Sequence, residues 1–301
     1  MPPTTRSNSK PQAVKPVKQI KHKLPKVLNA IAQETAKPAK KVYPTRQVIV
    51  SKPNATWSVD LAIMTDDKKE NNGMAFMLNC VDVFSRFAWS VPIPNKSMEV
   101  VLEGLKQIVK ENKNIYPEKL WTDQGAEFYN KKVKEWCNDH NITLYSTYGK
   151  AKSAMVERFN RTIKTRIWAY FIGYNTKNWV DILPEMMAQY NDGKHRSINM
   201  TPRKAHNLND AGIKKLYEYQ YGDIPTENPK PQQFHVGNYV RLSRVKGIFE
   251  KGYHASWTEE IFKIVKALNT VPYSYQVEDL DGETIEGSMY EPEMQITKQK
   301  P

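Results

Sequence analysis

Three carboxylates are the residues best placed to do chemistry. Asp60 interrupts the apolar run Trp57-Ser58-Val59-Asp60-Leu61-Ala62-Ile63-Met64. Burying a carboxylate there is costly unless a partner or a cation compensates it. Asp123 closes the short apolar stretch Lys119–Asp123 and precedes Gln124-Gly125, a turn at a strand end. Glu157 stands near the start of a long helical pattern. Taken singly, each has a plain reading: an ion-paired or edge aspartate, a turn aspartate, a solvated helical glutamate. As a set, two strands and one helix of a single sheet can bring them to one pocket. All-oxygen ligands suit a hard cation such as Mg²⁺ or Mn²⁺. Two such ions can activate an attacking hydroxyl and stabilise the leaving oxygen of a phosphodiester.

The helix around Glu157 supports a polyanionic substrate. Asn160, Arg161 and Lys164 follow at three, four and seven residues, on one stripe. Lys152, Arg158 and Arg166 add positive charge nearby. No acid follows Glu157 on this helix to pair with these cations. Cations beside a reactive carboxylate suit a site that grips DNA phosphates.

The elements that must position these groups follow from periodicity. Residues 47–208 read as an α/β unit. Trp57–Met64, Met74–Val83 and Phe87–Ile93 form an antiparallel meander. A helix follows from the cap candidate Ser97, then strand Lys119–Asp123, helix Phe128–His140, strand Ile142–Ser146 and helix Lys152–Phe171. A further helical pattern covers Trp179–Tyr190, with Pro184 marking a break. This order predicts a mixed five-stranded sheet with flanking helices. Residues 209–233, with Gly212, Gly222, Pro225, Pro229 and Pro231, read as a linker carrying a short helix at Ala211–Tyr219. Residues 234–297 read as a small SH3-like or chromo-like β-barrel that binds DNA. Its expected strands are Val236–Leu242, Phe262–Val265, Tyr275–Val277 and Thr284–Ile285, with a turn at Asp281-Gly282.

Charge is unevenly spread. The chain carries a net charge of +13, and residues 1–46 hold eleven Lys and Arg against the single acid Glu34. This segment, rich in Pro, Lys, Ser and Thr, reads as a largely disordered basic tail with a short helix near Val27–Ile31. A basic tail on a near-neutral body points to nucleic acid, because cations placed on phosphates release condensed counterions. Cys80 and Cys137 read as buried structural thiols. The absence of a secretory leader or a spanning apolar run predicts a soluble, intracellular protein with no membrane partner.

Several motifs together resemble a retroviral-type integrase core with a ribonuclease-H-like fold. They are Trp57-Ser58-Val59-Asp60-Leu61, Val81-Asp82-Val83-Phe84-Ser85-Arg86-Phe87-Ala88-Trp89, Thr122-Asp123-Gln124-Gly125-Ala126-Glu127-Phe128, Val156-Glu157-Arg158-Phe159-Asn160-Arg161-Thr162, and Tyr190-Asn191 with His195-Arg196-Ser197. The stretch Phe249–Tyr253, Trp257, Pro272–Tyr275 and Tyr290–Glu293 is similar to integrases of Polinton/Maverick elements and virophages. The resemblance implies that Asp60, Asp123 and Glu157 are the catalytic and metal-binding triad. It implies that Asn160, Arg161 and Lys164 contact element-end DNA. The implied reactions are removal of nucleotides from 3′ ends and joining of those ends to target DNA. The implied assembly is a dimer or tetramer on DNA, acting in the host nucleus or packaged in a virion.

Two features depart from the retroviral pattern. Only 33 residues separate Asp123 and Glu157, slightly fewer than retroviral enzymes commonly have. Residues 1–54 hold His22 but no cysteine, so the His-His-Cys-Cys zinc module of retroviral enzymes cannot form there. The basic tail or another polypeptide takes its place. In the C-terminal unit, Arg241, Arg244, Lys246 and Lys251 are expected DNA contacts. Phe249, Tyr253, Trp257, Tyr275 and Tyr290 could instead form a methyl-lysine cage, although small-barrel cores use such aromatics too. Two other readings stand beside the integrase. One is a non-catalytic DNA-binding protein derived from it. The other is a nuclease of the same sheet that cuts RNA–DNA hybrids.

Overall fold

In the computed structural model, residues 26–40, 42–146, 154–244 and 255–299 are described. Strands β1 (Thr56–Ile63), β2 (Phe76–Asp82) and β3 (Ala88–Ile93) form the expected antiparallel meander. The turn between β2 and β3 is short because Asp82 organises it. Its carboxylate accepts from the backbone and hydroxyl of Ser85 and from the Asn54 N–H, and Arg86 takes positive φ. Helix α2 (Met98–Glu111) follows, then β4 (Lys119–Trp121), α3 (Lys131–Asp139) and β5 (Thr143–Tyr145). Both β4 and β5 run parallel to β1, giving the mixed order β3-β2-β1-β4-β5. Then come α4 (Ala154–Tyr174), α5 (Leu183–Asp192), α6 (Pro202–His206) and α7 (Asp210–Tyr221).

The sheet separates two apolar layers, as the period of two requires. Trp57, Val59, Leu78, Cys80 and Val91 pack toward α2 and α3. Ala62, Met77, Val81 and Ala88 pack under Val156, Phe159, Ile163 and Ile167 of α4. Asp60 therefore belongs to the α4 face. Cys80 and Cys137 are buried free thiols.

Several boundaries differ from expectation. The predicted helix Phe128–His140 begins only at Lys131, because the Asn130 side chain caps it through the Val133 N–H. Pro184 marks the expected break: α5 begins at Leu183 rather than Trp179, with Pro184 in its first turn, where a missing N–H costs nothing. Helix α7 spans much of the expected linker and packs Leu216 and Ile213 against Val83, Phe84 and Trp121. Ile63, expected on the buried face of β1, is 60% exposed at the strand's end.

A second five-stranded sheet, β10-β6-β7-β8-β9, forms the C-terminal unit. Its strands are β6 (Tyr239–Leu242), β7 (Phe262–Leu268), β8 (Ser274–Glu278), β9 (Met289–Tyr290) and β10 (Met294–Ile296). Thr284 makes only an isolated bridge to Glu278, so no strand forms at Thr284–Ile285. The Asp281-Gly282 turn is present, with Gly282 at φ +87°.

The basic segment holds a larger surprise. Helix α1 spans Lys26–Thr35, and the chain after it lies on the second sheet. The Thr35 carbonyl accepts from Ser256 N–H, and Lys37 carbonyl from the Trp257 indole. Glu34 pairs with Arg241 at 3.0 Å. Residues 26–40 and 42–46 are thus a structured strap rather than a disordered tail; residues 1–25 and 41 lie outside the described residues. The strap also corrects the reading of Arg241 as a DNA contact. Arg241 is fully buried, held by Glu34, the carbonyls of Thr258 and Glu259, and Gln299. Among the described residues, the aromatics expected to form a cage are engaged elsewhere. Tyr275 and Trp257 are buried, and Tyr290 hydroxyl accepts from the Arg46 N–H. Phe249, Tyr253, Lys246 and Lys251 lie outside the described residues. Arg244 is exposed.

Candidate active site

Register across the first sheet builds the site. Asp60 on β1 faces Asn79 on β2, and Asn79 faces Ser90 on β3. All three point to the α4 side, forming a polar row through an apolar layer. Each buried polar atom then needs a partner. Ser90 Oγ donates to Asn79 Oδ1 at 2.5 Å, and Asn79 Nδ2 donates to Asn160 Oδ1 at 2.7 Å. Asn160 Nδ2 donates to Asp60 Oδ2 at 2.7 Å. The chain of donors leaves each amide only one orientation. Asn160 is thereby committed to present its NH₂ to Asp60.

Among the described residues, Asp60 has no cationic partner. Burial raises its pKa to about 6, and the charges of Asp123 and Glu157 push the same way. Hydrogen bonds from the Leu61 N–H and Asn160 oppose the rise only in part. Asp60 therefore feels both other carboxylates across the site.

Asp123 lies at the exposed mouth, where β4 ends, and its Oδ1 accepts from the Gly125 N–H at 3.1 Å. A side chain at Gly125 would meet Glu127 Oε2 at 2.6 Å and Asp123 Oδ1 at 3.0 Å. Glu127, not singled out from sequence as a site residue, thus stands beside Asp123. The only signal was its place two residues beyond that glycine. Glu157 is exposed in the first turn of α4. Among the described residues, no three acidic, histidine or cysteine side chains already stand close enough to hold a metal ion. Like charges disfavour such closeness until a cation joins them. The donor chemistry is nonetheless that of a hard-cation site, all carboxylate oxygens.

The expected DNA-contact residues divide. Lys164 Nζ donates to the Ile63 carbonyl at 2.9 Å, fastening α4 to the end of β1. Arg161 is exposed beside Asn160. Arg158 is exposed on the other flank of the helix. Lys152 lies outside the described residues. The Asn191 amide makes a paired contact with the backbone of Ala88, at 3.0 and 2.9 Å, which fixes α5 to the edge strand β3.

This strand order and its carboxylates define a ribonuclease-H-like core. Over 90% of this chain and 88% of the other, the fold superposes on a chain of the simian T-cell lymphotropic virus intasome in complex with PP2A regulatory subunit B56 gamma, with TM-score 0.65 and 14% identity. Residues 50–152 match the model of the integrase core domain family. It is 33% identical over 202 residues to a putative uncharacterized transposon-derived protein of Caenorhabditis elegans, covering 66% of this chain and 65% of that one. It is also 30% identical over 136 residues to the Pro-Pol polyprotein of Simian foamy virus type 1, covering 44% of this chain and 12% of that one. The chain thus spans less than two thirds of either relative. Among the described residues, no helix is long and apolar enough to cross a membrane.

Proposed function

We propose that the protein is an integrase that trims the 3′ ends of an element's DNA and joins them to target DNA. The observation that carries this reading is Asp60: a half-buried carboxylate with no cation beside it among the described residues, facing two further carboxylates. A binding module has no use for so unfavourable an arrangement. Asp60, Asp123 and Glu157 would hold two Mg²⁺ or Mn²⁺ ions. When bound, the ions would activate the attacking oxygen and stabilise the leaving one.

The chain's own residues position and exclude. Asn160 holds the Asp60 carboxylate in one orientation, with Asn79 and Ser90 fixing Asn160 in turn. Lys164 locks α4 against β1, so Glu157 is carried on a fixed helix. Arg161, exposed on the Glu157 side, is free to meet a DNA phosphate. Water attacks first and releases the terminal nucleotides; the exposed 3′-hydroxyl then attacks the target phosphodiester. One P–O bond forms as another breaks in each step, and no covalent enzyme intermediate is needed.

The second sheet is read as an SH3-like DNA-binding barrel, and the working form as a dimer or tetramer on paired DNA ends in the host nucleus. The C-terminal motifs favour a Polinton or virophage relative as the source. The exposure of Asp123 and Glu157 favours one rival reading, a non-catalytic DNA-binding descendant of an integrase.

A strand-transfer assay decides between them. Purified protein, Mg²⁺ or Mn²⁺, a labelled end duplex and a plasmid target are incubated beside a Glu157→Gln control. Joined product that disappears in the control supports the integrase. DNA binding without joining, across several candidate ends, overturns it in favour of the descendant.

A further inference from the structure

Helix α4 has a second polar flank. At about 100° per residue, Arg158, Thr162 and Arg166 lie on a stripe turned well away from Glu157, Asn160 and Lys164. That flank is roofed by the loop after α5 and by the β2–β3 turn. Together they enclose a cavity of about 310 Å³. Arg86, Arg158, Arg166, Lys194, His195 and Arg196 all line it, and among the described residues no carboxylate does.

The cations there are poorly compensated. Arg86 is buried, and its guanidinium donates to Ser197 Oγ, the Val83 carbonyl and Gln220 Oε1. Asp82 lies behind it and offsets part of its charge. Burial nevertheless lowers the Arg86 pKa, and the nearby Arg158 charge lowers it further. His195 is depressed by burial and by Arg86. Arg166 sets its guanidinium 5.8 Å from the Tyr190 ring centre, and its Nη1 is buried without a hydrogen-bond partner among the described residues. A buried guanidinium N–H without an acceptor is unfavourable. An anion with several oxygens would satisfy it and relieve the repulsion among its neighbours. Planar guanidinium forks with the Thr162 and Ser197 hydroxyls at the wall match a phosphate group.

We propose that this cavity is a phosphate-binding site that takes a backbone phosphate of DNA lying across α4, on the flank opposite the three carboxylates. The choice of DNA as the source rests on the integrase reading; the phosphate chemistry does not. Arg158 directly follows Glu157, so a strand reacting at one flank has further phosphates available to the other. The cavity would then help fix the position of the DNA along the helix while the carboxylates act.

The test uses the full chain in EDTA, with binding to a labelled duplex followed by fluorescence anisotropy between about 50 and about 200 mM salt. Each lost phosphate contact lowers the slope of log K against log salt by about 0.9. The exposed pair Arg158→Ala with Arg196→Ala should reduce the slope by about 1, and Glu157→Gln should not. A second arm follows thermal unfolding of wild type and Arg166→Met with added pyrophosphate. A reduced slope supports the DNA site, even if wild-type protein joins no ends, in which case only the joining reading fails. An unchanged slope, with stabilisation by pyrophosphate in wild type but not Arg166→Met, overturns DNA as the occupant in favour of a free phosphate compound. No change in either arm overturns the site. Should Arg166→Met not fold, the exposed double variant, with pyrophosphate added to it, carries both arms.

Discussion

Asp60 in the first sheet and Arg241 in the second occupy the same kind of position, a charge inside a short apolar strand. Their surroundings are opposite. Arg241 is met on every side: Glu34 at 3.0 Å, two backbone carbonyls and Gln299. Asp60 meets the Asn160 amide, the Leu61 N–H and two more carboxylates. A buried charge that is fully compensated holds a fold together. One that is left among like charges stores an electrostatic cost that only a ligand removes. The comparison assigns structure to one strand and chemistry to the other.

The largest expected effect removes the chemistry while sparing the fold. Asp60→Asn should abolish strand joining, and should stabilise the metal-free protein at neutral pH. The sign follows from linkage. The folded pKa, about 6, lies above the ordinary value of 3.8, so the folded state holds its proton more tightly. Asp60 thus lowers stability as pH rises from about 4 through 6, by about 3 kcal/mol in all. Chemical denaturation in EDTA at pH 5 and pH 7 should show wild type losing stability upward, with Asp60→Asn flattened. A wild-type protein equally stable at both would break the contrast.

Arg241 predicts the reverse outcome. Glu34→Ala strands a buried guanidinium and should cost about 3–5 kcal/mol, read from urea unfolding of the second sheet through Trp257 fluorescence. Within Glu34 itself, burial raises the pKa, but hydrogen bonds from Arg241, Thr297 and Lys298 outweigh it and leave it lowered. A loss too small to measure would mean that the strap is not part of the folded unit.

The amide relay gives an intermediate effect. Asn79→Ala releases the Asn160 amide from its fixed orientation. A hydrogen bond to a charged group contributes about 1.5–3 kcal/mol, so the joining rate should fall by about tenfold or more, with DNA affinity unchanged. An unchanged rate would show that α4 alone fixes Asn160. The smallest effect comes from a charge pair on the surface. Lys52 and Glu118 approach to 2.7 Å but are each 55% exposed. Solvent screens such a pair, and Glu118→Gln should leave the unfolding curve in place.

The sequence by itself determined a good deal. The meander, the mixed sheet and the apolar stripe of α4 follow from period two and period 3.6, which are local properties of the chain. Asp60 was legible for the same reason, as a charge breaking an apolar period. Asn79 and Ser90 gave no such signal, because a row across a sheet is set by strand register between residues distant in sequence. Composition misled at residues 26–40 and 42–46, where polar and basic residues suggested disorder. The segment is ordered by contacts it cannot make alone, above all Glu34 with Arg241, 207 positions away. Arg241, Arg244 and Arg158 look alike as letters. Only the tertiary structure buried the first against an acid, left the second in solvent and turned the third into a basic cavity, because the field around a charge is set by neighbours that the chain supplies from elsewhere.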